Sequence, residues 1–287
     1  MTTIAPTRAT TSTYWIVTAV LATECVVGGV MGALQLSPFL DTATHLGYPA
    51  YFMSILGAWY VSAGFVLLAP RLPRLKEWAY AGLVFNYTGA AASHIWVGDN
   101  AEKLIGPMIF LGLTATSWAL RPPLRRDFRL PTRAFSRSLA IVYWVATVSV
   151  AAELALGGVW DLARINYVRD VVEHLGYPAY LLTIMGLWKI PGAIVLLVPR
   201  FPRVKEWAYA GAVINYASAI ASHLIVGDSI GAIVAPTAFL TLTVIKGVPG
   251  SRGAVDRYRA PVGVANSAVC TLFSSPAVTH HPGDSLS

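Results

Sequence analysis

The seven residues HLGYPAY occupy positions 45–51 and recur unchanged at positions 174–180, an offset of 129 residues. The same offset aligns the surrounding sequence on itself without a gap. Three further motifs repeat at this spacing: KEWAYAG at 76–82 and 205–211, Asn-Tyr at 86–87 and 215–216, and S-H-x-x-V-G-D at 93–99 and 222–228. The pattern indicates a tandem duplication of one structural unit.

The chain is too apolar for a typical soluble protein. Of its 287 residues, 55% are hydrophobic and 12% are charged, which is about half the charged share of a soluble domain. Eight apolar stretches are long enough to cross about 30 Å of hydrocarbon as helices. They lie near 14–34, 49–69, 77–97, 104–120, 139–158, 178–198, 206–226 and 230–248. The sequence therefore predicts an all-α integral membrane protein with eight transmembrane helices.

The repeat divides these helices into two units of four. The predicted domains are an N-terminal tail at 1–13, a first unit at 14–120, a basic linker at 121–138, a second unit at 139–248 and a C-terminal tail at 249–287. Both tails are expected to be disordered. Because each unit has an even number of helices, both should point the same way across the membrane. This predicts two parallel-repeat four-helix bundles.

Lysine and arginine are unevenly distributed between the predicted loops. Most lie on the side that carries both termini, whereas the opposite side carries Lys103, Arg164 and Arg169. The positive-inside rule therefore places both termini in the cytoplasm. The net charge of +7 is expected to face anionic membrane lipid. Because that charge is spread over short loops, no nucleic-acid partner is expected.

Two carboxylates are predicted to lie deep in the membrane. Glu24 is near the middle of the first span, and Glu153 has the same place in the fifth. A central charge costs roughly 3 kcal/mol on insertion scales, so it usually faces the bundle interior and has a partner or a role. One turn further on, Gly28 and Gly157 would let a backbone or a ligand approach. Two interpretations remain open: a structural hydrogen bond between helices, or a role in proton transfer or ligand binding.

The two repeats differ most in chemistry at Lys189, which stands where the first repeat has Tyr60. Glu153 lies at a similar predicted depth and is the expected partner of this lysine. Pro191, in place of Ser62, is expected to kink the same helix. If one unit carries a working site, the second is therefore favoured. The candidate catalytic residues are Glu24, Glu153, Lys189, His94 and His223.

A second polar set recurs near one face of the membrane in both repeats. On the third span Asn86 and His94 share one helix face, and Asn215 and His223 repeat the arrangement. We interpret this stripe as a polar funnel toward the glutamates. The candidate cofactor-binding residues are Asn86, Asn215, His45, His174, Asp99 and Asp228. Their spacing fits no specific metal motif, so no metal site is predicted, and hydrogen bonds from the histidines to nearby loops are the structural alternative.

The other face carries the pattern P-R-x-P-R-x-K-E-W, at 70–78 and 199–207. Its prolines end one helix, and its tryptophan is expected to anchor the next helix at the membrane interface. Motifs for several chemistries are missing. Cys25 and Cys270 do not correspond in the repeat, and the sequence has no C-x-x-C, no C-x-x-C-H and no P-loop. Thiol–disulfide exchange and ATP-driven work are therefore not expected.

Three segments of each repeat resemble the DoxX-like family of small four-helix bacterial membrane proteins. They are HLGYPAYFMSILGAW, APRLPRLKEWAYAG and ASHIWVGD in the first repeat, and HLGYPAYLLTIMGLWK, VPRFPRVKEWAYAG and ASHLIVGD in the second. The chain thus resembles two such units fused in tandem. The resemblance implies a bacterial inner-membrane location and an oxidoreductase subunit that handles quinone. It implies no agreed set of catalytic residues.

Three hypotheses follow from the residues and the resemblance together. In the first, the protein is a quinone-linked redox subunit, and a partner subunit supplies the electrons. In the second, it is a membrane enzyme or transporter for a small lipophilic molecule. In the third, it is a structural assembly subunit that packs against other proteins, and a homo-oligomer also remains open. Fold alone does not decide between them.

Overall fold

The structure is a computed structural model that describes residues 8–122, 137–198 and 201–247. These residues form ten helices and no strand. In the first repeat the helices are α1 (Arg8–Ala33), α2 (Phe39–His45), α3 (Ala50–Leu68), α4 (Pro73–Val97) and α5 (Glu102–Leu120). In the second they are α6 (Arg137–Ala163), α7 (Asn166–His174), α8 (Tyr180–Leu197), α9 (Pro202–Val226) and α10 (Ile230–Gly247). Most of the predicted linker and the whole predicted C-terminal tail lie outside the described residues.

Six helices are long and apolar enough to cross a membrane, two fewer than the eight predicted. They are Arg8–Ala33, Ala50–Leu68, Glu102–Leu120, Ala140–Ala163, Tyr180–Leu197 and Pro202–Val226. Helix α10 has a shorter apolar segment, Ile230–Ile245. Helix α4 falls short although the equivalent helix α9 does not, because Thr88, Ala91 and Trp96 of α4 are less hydropathic than their counterparts in α9. These counterparts are Ala217, Ile220 and Ile225.

Glycines set the closest helix contacts inside each repeat. Helix α6 crosses α8 where Gly158 meets Gly186, and a Cβ added to Gly186 would lie 2.8 Å from the carbonyl oxygen of Gly158. Gly29 and Gly57 make the equivalent crossing of α1 and α3. Without a hydrophobic driving force in lipid, such small-residue contacts allow the backbone packing that holds membrane helices together.

The turn between α3 and α4 is closed by a buried lysine. The ammonium of Lys76 donates hydrogen bonds to the carbonyl oxygens of Val66, at 2.6 Å, and Leu67, at 2.5 Å. These carbonyls belong to the last turn of α3 and have no partner within the helix. Lys205 caps α8 in the same way through Leu196, at 2.9 Å. The lysine of the repeated K-E-W motif, which lies in the first turns of one helix, therefore caps the end of the preceding helix.

The remaining residues of K-E-W join the two repeats to each other. Glu77 and Glu206 are fully buried. The indole Nε1 of Trp207 donates to Glu77 at 3.0 Å, and the indole of Trp78 donates to Glu206 at 2.9 Å. The contact is reciprocal, as in the isologous interface of a twofold dimer. We call Glu77, Trp78, Glu206 and Trp207 the inter-repeat clasp, and the end of the bundle that holds them the clasp end. The tryptophans expected at the membrane interface are thus partly structural donors.

Each clasp glutamate also has an arginine. Arg121 pairs with Glu77 at 2.7 Å, and Arg74 binds both oxygens of Glu206, at 3.0 and 3.1 Å. Arg74 reaches across the repeats, whereas Arg121 belongs to the same repeat as its partner. A buried carboxylate costs several kcal/mol to desolvate, so ion pairing with added hydrogen bonds is the condition for its presence here.

The two HLGYPAY segments meet at the opposite end of the bundle, which we call the histidine end. The hydroxyl of Tyr51 donates to the carbonyl oxygen of Leu175 at 2.6 Å, and Tyr180 donates to Leu46 at 2.6 Å. The last residue of each copy thus binds the second residue of the other copy. Gly47 has φ of +82°, a conformation that favours glycine, and it lies against Pro178 of the other repeat. Each copy of HLGYPAY therefore packs against the other copy.

We expect the clasp to contribute measurably to folding. Trp207→Phe keeps a large ring but removes the donor to Glu77, and Trp78→Phe does the same for Glu206. Because a buried charged acceptor loses one hydrogen bond, each change should lower the free energy of unfolding by about 1–3 kcal/mol. The measurement is denaturant unfolding in detergent micelles, followed by circular dichroism.

Trp160→Phe is the matched control, because this indole is exposed and such surface changes usually stay within about 0.5 kcal/mol. Equal stability of all three variants would contradict the role assigned to the clasp.

Candidate functional site

A partly open cavity of about 530 Å³ lies where the two repeats meet. Helices α7, α8 and α9 of the second repeat form most of its wall, and Phe52 and Phe85 of the first repeat also line it. Most of the lining is apolar. The polar side chains in the wall are Asp161, Tyr167, Tyr177, Lys189, Asn215, Ser218, Ser222 and His223. Ligand sites commonly have this size and this mixture of apolar walls and few polar groups.

The charged group in the wall is an ion pair between two helices. The Nζ of Lys189 on α8 lies 2.8 Å from Oδ2 of Asp161 on α6. Asp161 is therefore the partner of Lys189, and the expected pairing with Glu153 is wrong. Helix α6 continues to Ala163, past the predicted end of the fifth span. Asp161 therefore lies on this helix, level with the lysine.

Glu153 lies beside this pair but binds a tyrosine instead. The hydroxyl of Tyr216 donates to Glu153 Oε2. A Cβ added to Gly157 would lie 3.2 Å from Oε1 of Glu153 and 3.6 Å from Nζ of Lys189. Gly157 therefore leaves the space in which the carboxylate and the ammonium approach each other. Of the two interpretations of the glutamate, the interhelical hydrogen bond is present.

The first repeat keeps the glutamate–tyrosine pair but closes the space around it. Tyr87 donates to Glu24 at 2.8 Å. Asn86 donates to the hydroxyl of Tyr60, which stands in the place of Lys189. The ring of Phe39 lies against Gly28, where the second repeat has Val168. Side chains therefore occupy the interior of this repeat.

The second repeat has smaller side chains at several cavity positions. Val168 stands in place of Phe39, Gly192 in place of Ala63, and Ala212 in place of Leu83. The amide of Asn215 also lines the cavity. None of the described residues hydrogen-bonds this side chain, unlike its counterpart Asn86. The two repeats thus share a fold and differ in what fills their interior.

The predicted histidines and aspartates come together at the histidine end of each repeat. In the first, Asp99 accepts hydrogen bonds from His94 Nδ1 at 2.7 Å and from His45 Nε2 at 2.8 Å. In the second, Asp228 accepts from His223 Nδ1 at 2.7 Å and from His174 Nε2 at 2.8 Å. The four histidines and two aspartates therefore form two histidine–aspartate–histidine chains. The structure does not place His45, His94 or Asp99 in the wall of the cavity.

These hydrogen bonds hold both aspartates in the charged form. The bonds from His94 and then His45 lower the pKa of Asp99, and those from His223 and then His174 lower the pKa of Asp228. Hydrogen bonds to a carboxylate favour its ionised form. Within the described part of the chain, no group of three or more His, Cys, Asp or Glu side chains has the arrangement of a metal site.

Asp161 is the residue of this site that the sequence analysis missed. The signal is in the comparison of the repeats, since Gly32 and Tyr60 of the first repeat become Asp161 and Lys189 in the second. An acidic and a basic residue that appear in the same repeat, each within an apolar stretch, indicate an ion pair.

The comparison with known families finds the same two repeats. The model of the DoxX-like family matches residues 16–117 and again residues 145–246. The chain belongs to the DoxX-like family. It carries two DoxX-like units in tandem, as the sequence predicts, and the two matches coincide with the repeats that the clasp joins. Neither a curated protein nor a solved structure matches the chain.

We expect the Lys189–Asp161 pair of the second DoxX-like unit to behave as a coupled unit. Lys189→Met or Asp161→Asn alone leaves one buried charge unpaired and should cost about 3–5 kcal/mol of unfolding free energy. The double variant leaves no charge, so it should be more stable than the sum of the single effects predicts.

Denaturant unfolding of the four proteins in detergent measures this coupling. Additive effects of the two substitutions would show that the pair does not form.

We expect the DoxX-like protein to lose stability in acid through Asp99 and Asp228. Their folded-state pKa values are lowered, so their contribution is complete above the ordinary aspartate pKa of about 3.9. It is lost as pH falls through the lower folded-state value. The melting temperature should therefore fall below about pH 4, and it should fall less in the Asp99→Asn/Asp228→Asn variant.

Asp41→Asn is the control because Asp41 is an exposed carboxylate and should leave the acid response unchanged. The same acid response in all three proteins would contradict this assignment.

Proposed function

We propose that the protein is a quinone-binding subunit of a membrane oxidoreductase and that the second repeat holds the quinone. The observation that carries this proposal is the cavity of about 530 Å³, with the Lys189–Asp161 pair in an otherwise mostly apolar wall. A quinone head has a flat apolar ring and two carbonyl oxygens that accept hydrogen bonds. Such a ligand needs apolar walls and a few donors.

The donors in the cavity wall suit the two carbonyl oxygens. Lys189 has three N–H groups and uses Asp161 as a counter-ion, so it keeps donors for a ligand. The amide of Asn215 has no described partner and supplies two more N–H groups. The rings of Phe52, Phe85 and Trp188 line the same cavity and offer faces on which a flat ring can stack. These side chains would bind and orient the quinone.

The chemistry of a bound quinone is the uptake and release of electrons and protons. The sequence has no C-x-x-C or haem-attachment motif, so we propose that a partner subunit exchanges the electrons. The membrane enzyme or transporter for another lipophilic molecule is the alternative, and it would use the same cavity.

We further propose that all eight long helices cross the bacterial inner membrane, with both termini in the cytoplasm. Helices α4 and α9 occupy equivalent places in the repeat, and α9 is long and apolar enough to span. The uneven loop charges support the orientation. In this arrangement the histidine end faces outward and the clasp end faces the cytoplasm.

Quinone binding can be measured through the tryptophans near the cavity. Trp188 and Trp207 line it, so a bound quinone should quench their fluorescence. We expect a short-chain ubiquinone analogue to quench the purified protein saturably. Loss of a charged hydrogen bond costs about 1.5–3 kcal/mol, so Lys189→Met should weaken binding by roughly tenfold or more. Ala212→Leu, which introduces the first-repeat side chain into the cavity, should also weaken it.

Tyr60→Phe is the matched control, since it changes the equivalent position of the first repeat and should leave binding intact. Mass spectrometry of lipids extracted from the same preparations then identifies the native ligand. No saturable quenching in the wild-type protein, or equal affinity in all variants, would overturn the quinone proposal. A different lipophilic molecule that is retained by the wild type and lost from Lys189→Met would favour the alternative.

A further inference from the structure

We propose that His174, Asp228 and His223 form a proton path between the aqueous phase at the histidine end and the interior cavity. We call these three residues the second-repeat relay. The proposal rests on the site proposed above for its destination, which is the Lys189–Asp161 pair. Protons alone move along it, so each step transfers a proton from one ring nitrogen or carboxylate oxygen to the next acceptor.

The relay runs from an exposed group to an enclosed one. The side chain of His174 is 56% exposed, that of Asp228 is 19% exposed and that of His223 is 13% exposed. The two oxygens of Asp228 each hold one ring, at 2.8 Å from His174 and 2.7 Å from His223. Because Asp228 is held ionised, it can accept a hydrogen bond from each ring. Histidine takes up and releases protons near neutral pH, which suits it to this task.

His223 borders two separate spaces. One is a pocket of about 370 Å³ at the histidine end, which it shares with His174 and Asp228. The other is the interior cavity. Its Nδ1 is bound to Asp228, and no described residue hydrogen-bonds its Nε2. A ring that is held at one nitrogen and open at the other can accept a proton on one side and release it on the other.

Polar groups continue the path from His223 into the cavity. Ser222, Ser218 and Asn215 follow one another along α9, and all three line the cavity with Lys189 and Asp161. Ser222 is hydrogen-bonded to Tyr177 at 2.8 Å, and Ser218 accepts from Trp59 at 3.1 Å. A cavity of this volume with several polar partners has room for water, which would complete the chain to the ion pair.

Other titratable groups face the relay from the neighbouring elements. Tyr167 and Asp170 of α7 line the pocket at the histidine end. Tyr51 of α3 lies close enough to Ser222 and Asp228 to interact with them, and Tyr177, which precedes α8, is hydrogen-bonded to Ser222. Asp170 is the additional carboxylate among these, so its neutralisation is a necessary control in any pH experiment.

The first repeat supplies a matched reference. His45, Asp99 and His94 repeat the relay with the same bond lengths, but none of them lines the cavity. A substitution at His94 therefore changes the same local chemistry without touching the proposed path.

The test is a pH jump on the purified protein without added quinone, followed by time-resolved infrared spectroscopy of the Asp161 carboxyl. The Asp161→Asn variant identifies the band. We expect His223→Gln to keep the size of the band change but to slow it at least tenfold. His94→Gln and Asp170→Asn should respond at the wild-type rate. His174→Ala should also be slow, and imidazole added to the medium should restore its rate.

Equal rates in His223→Gln and the wild type would overturn the proposal, as would equal slowing in His94→Gln. A wild-type Asp161 band that never responds to pH would overturn it as well, because the path would have no destination. Since no quinone is present, these outcomes are separate from those of the binding experiment. A working relay without quinone binding would leave the alternative lipophilic ligand, and quinone binding without a working relay would require another proton route.

Discussion

The reciprocal burial of Glu77 and Glu206 is the constraint on which the rest of the structure depends. Each carboxylate receives an indole N–H from the other repeat and an arginine. Neither repeat supplies all the hydrogen-bond donors of its own glutamate, so the two repeats must pack against each other at the clasp end. The HLGYPAY segments join the repeats in the same reciprocal way at the histidine end. The cavity exists because these two attachments fix the repeats around a space that the second repeat does not fill.

The interior of the molecule shows how a symmetric frame carries an asymmetric site. The residues of the clasp and of the HLGYPAY segments are the same in both copies. Residues in the interior differ, with Tyr60 and Phe39 filling one half and Lys189 and Val168 leaving room in the other. The second half carries a positive charge together with its counter-ion, since Asp161 accompanies Lys189. Removing either charge alone would leave the other without its partner.

Much of the fold was predictable because the two repeats of this one sequence can be aligned and compared with each other. The repeat, the helical class, the candidate polar residues and the family are all visible in the residues. The partner of Lys189 was not predicted, because the fifth span was ended at 158 while the helix continues to Ala163. The reciprocal tryptophan contacts were not predicted either, because an indole near a membrane interface usually contacts lipid headgroups, and sequence spacing carries no information on which repeat a side chain faces. Helix α4 shows the limit of hydropathy, since a few substitutions such as Trp96 in place of Ile225 separate it from α9, which has the equivalent place in the fold.

The covalent join between the repeats has a consequence for how many ligands one molecule holds. A pair of identical units in the same arrangement would necessarily carry two equal interiors, both filled or both open. Because the two halves belong to one chain, their sequences can differ. One half can keep a filled interior while the other has an open one. A difference such as Ala212 in place of Leu83 then affects one interior and not the other. The tandem chain can thus have one open interior per pair of units, an asymmetry that two identical chains in a symmetric pair do not have.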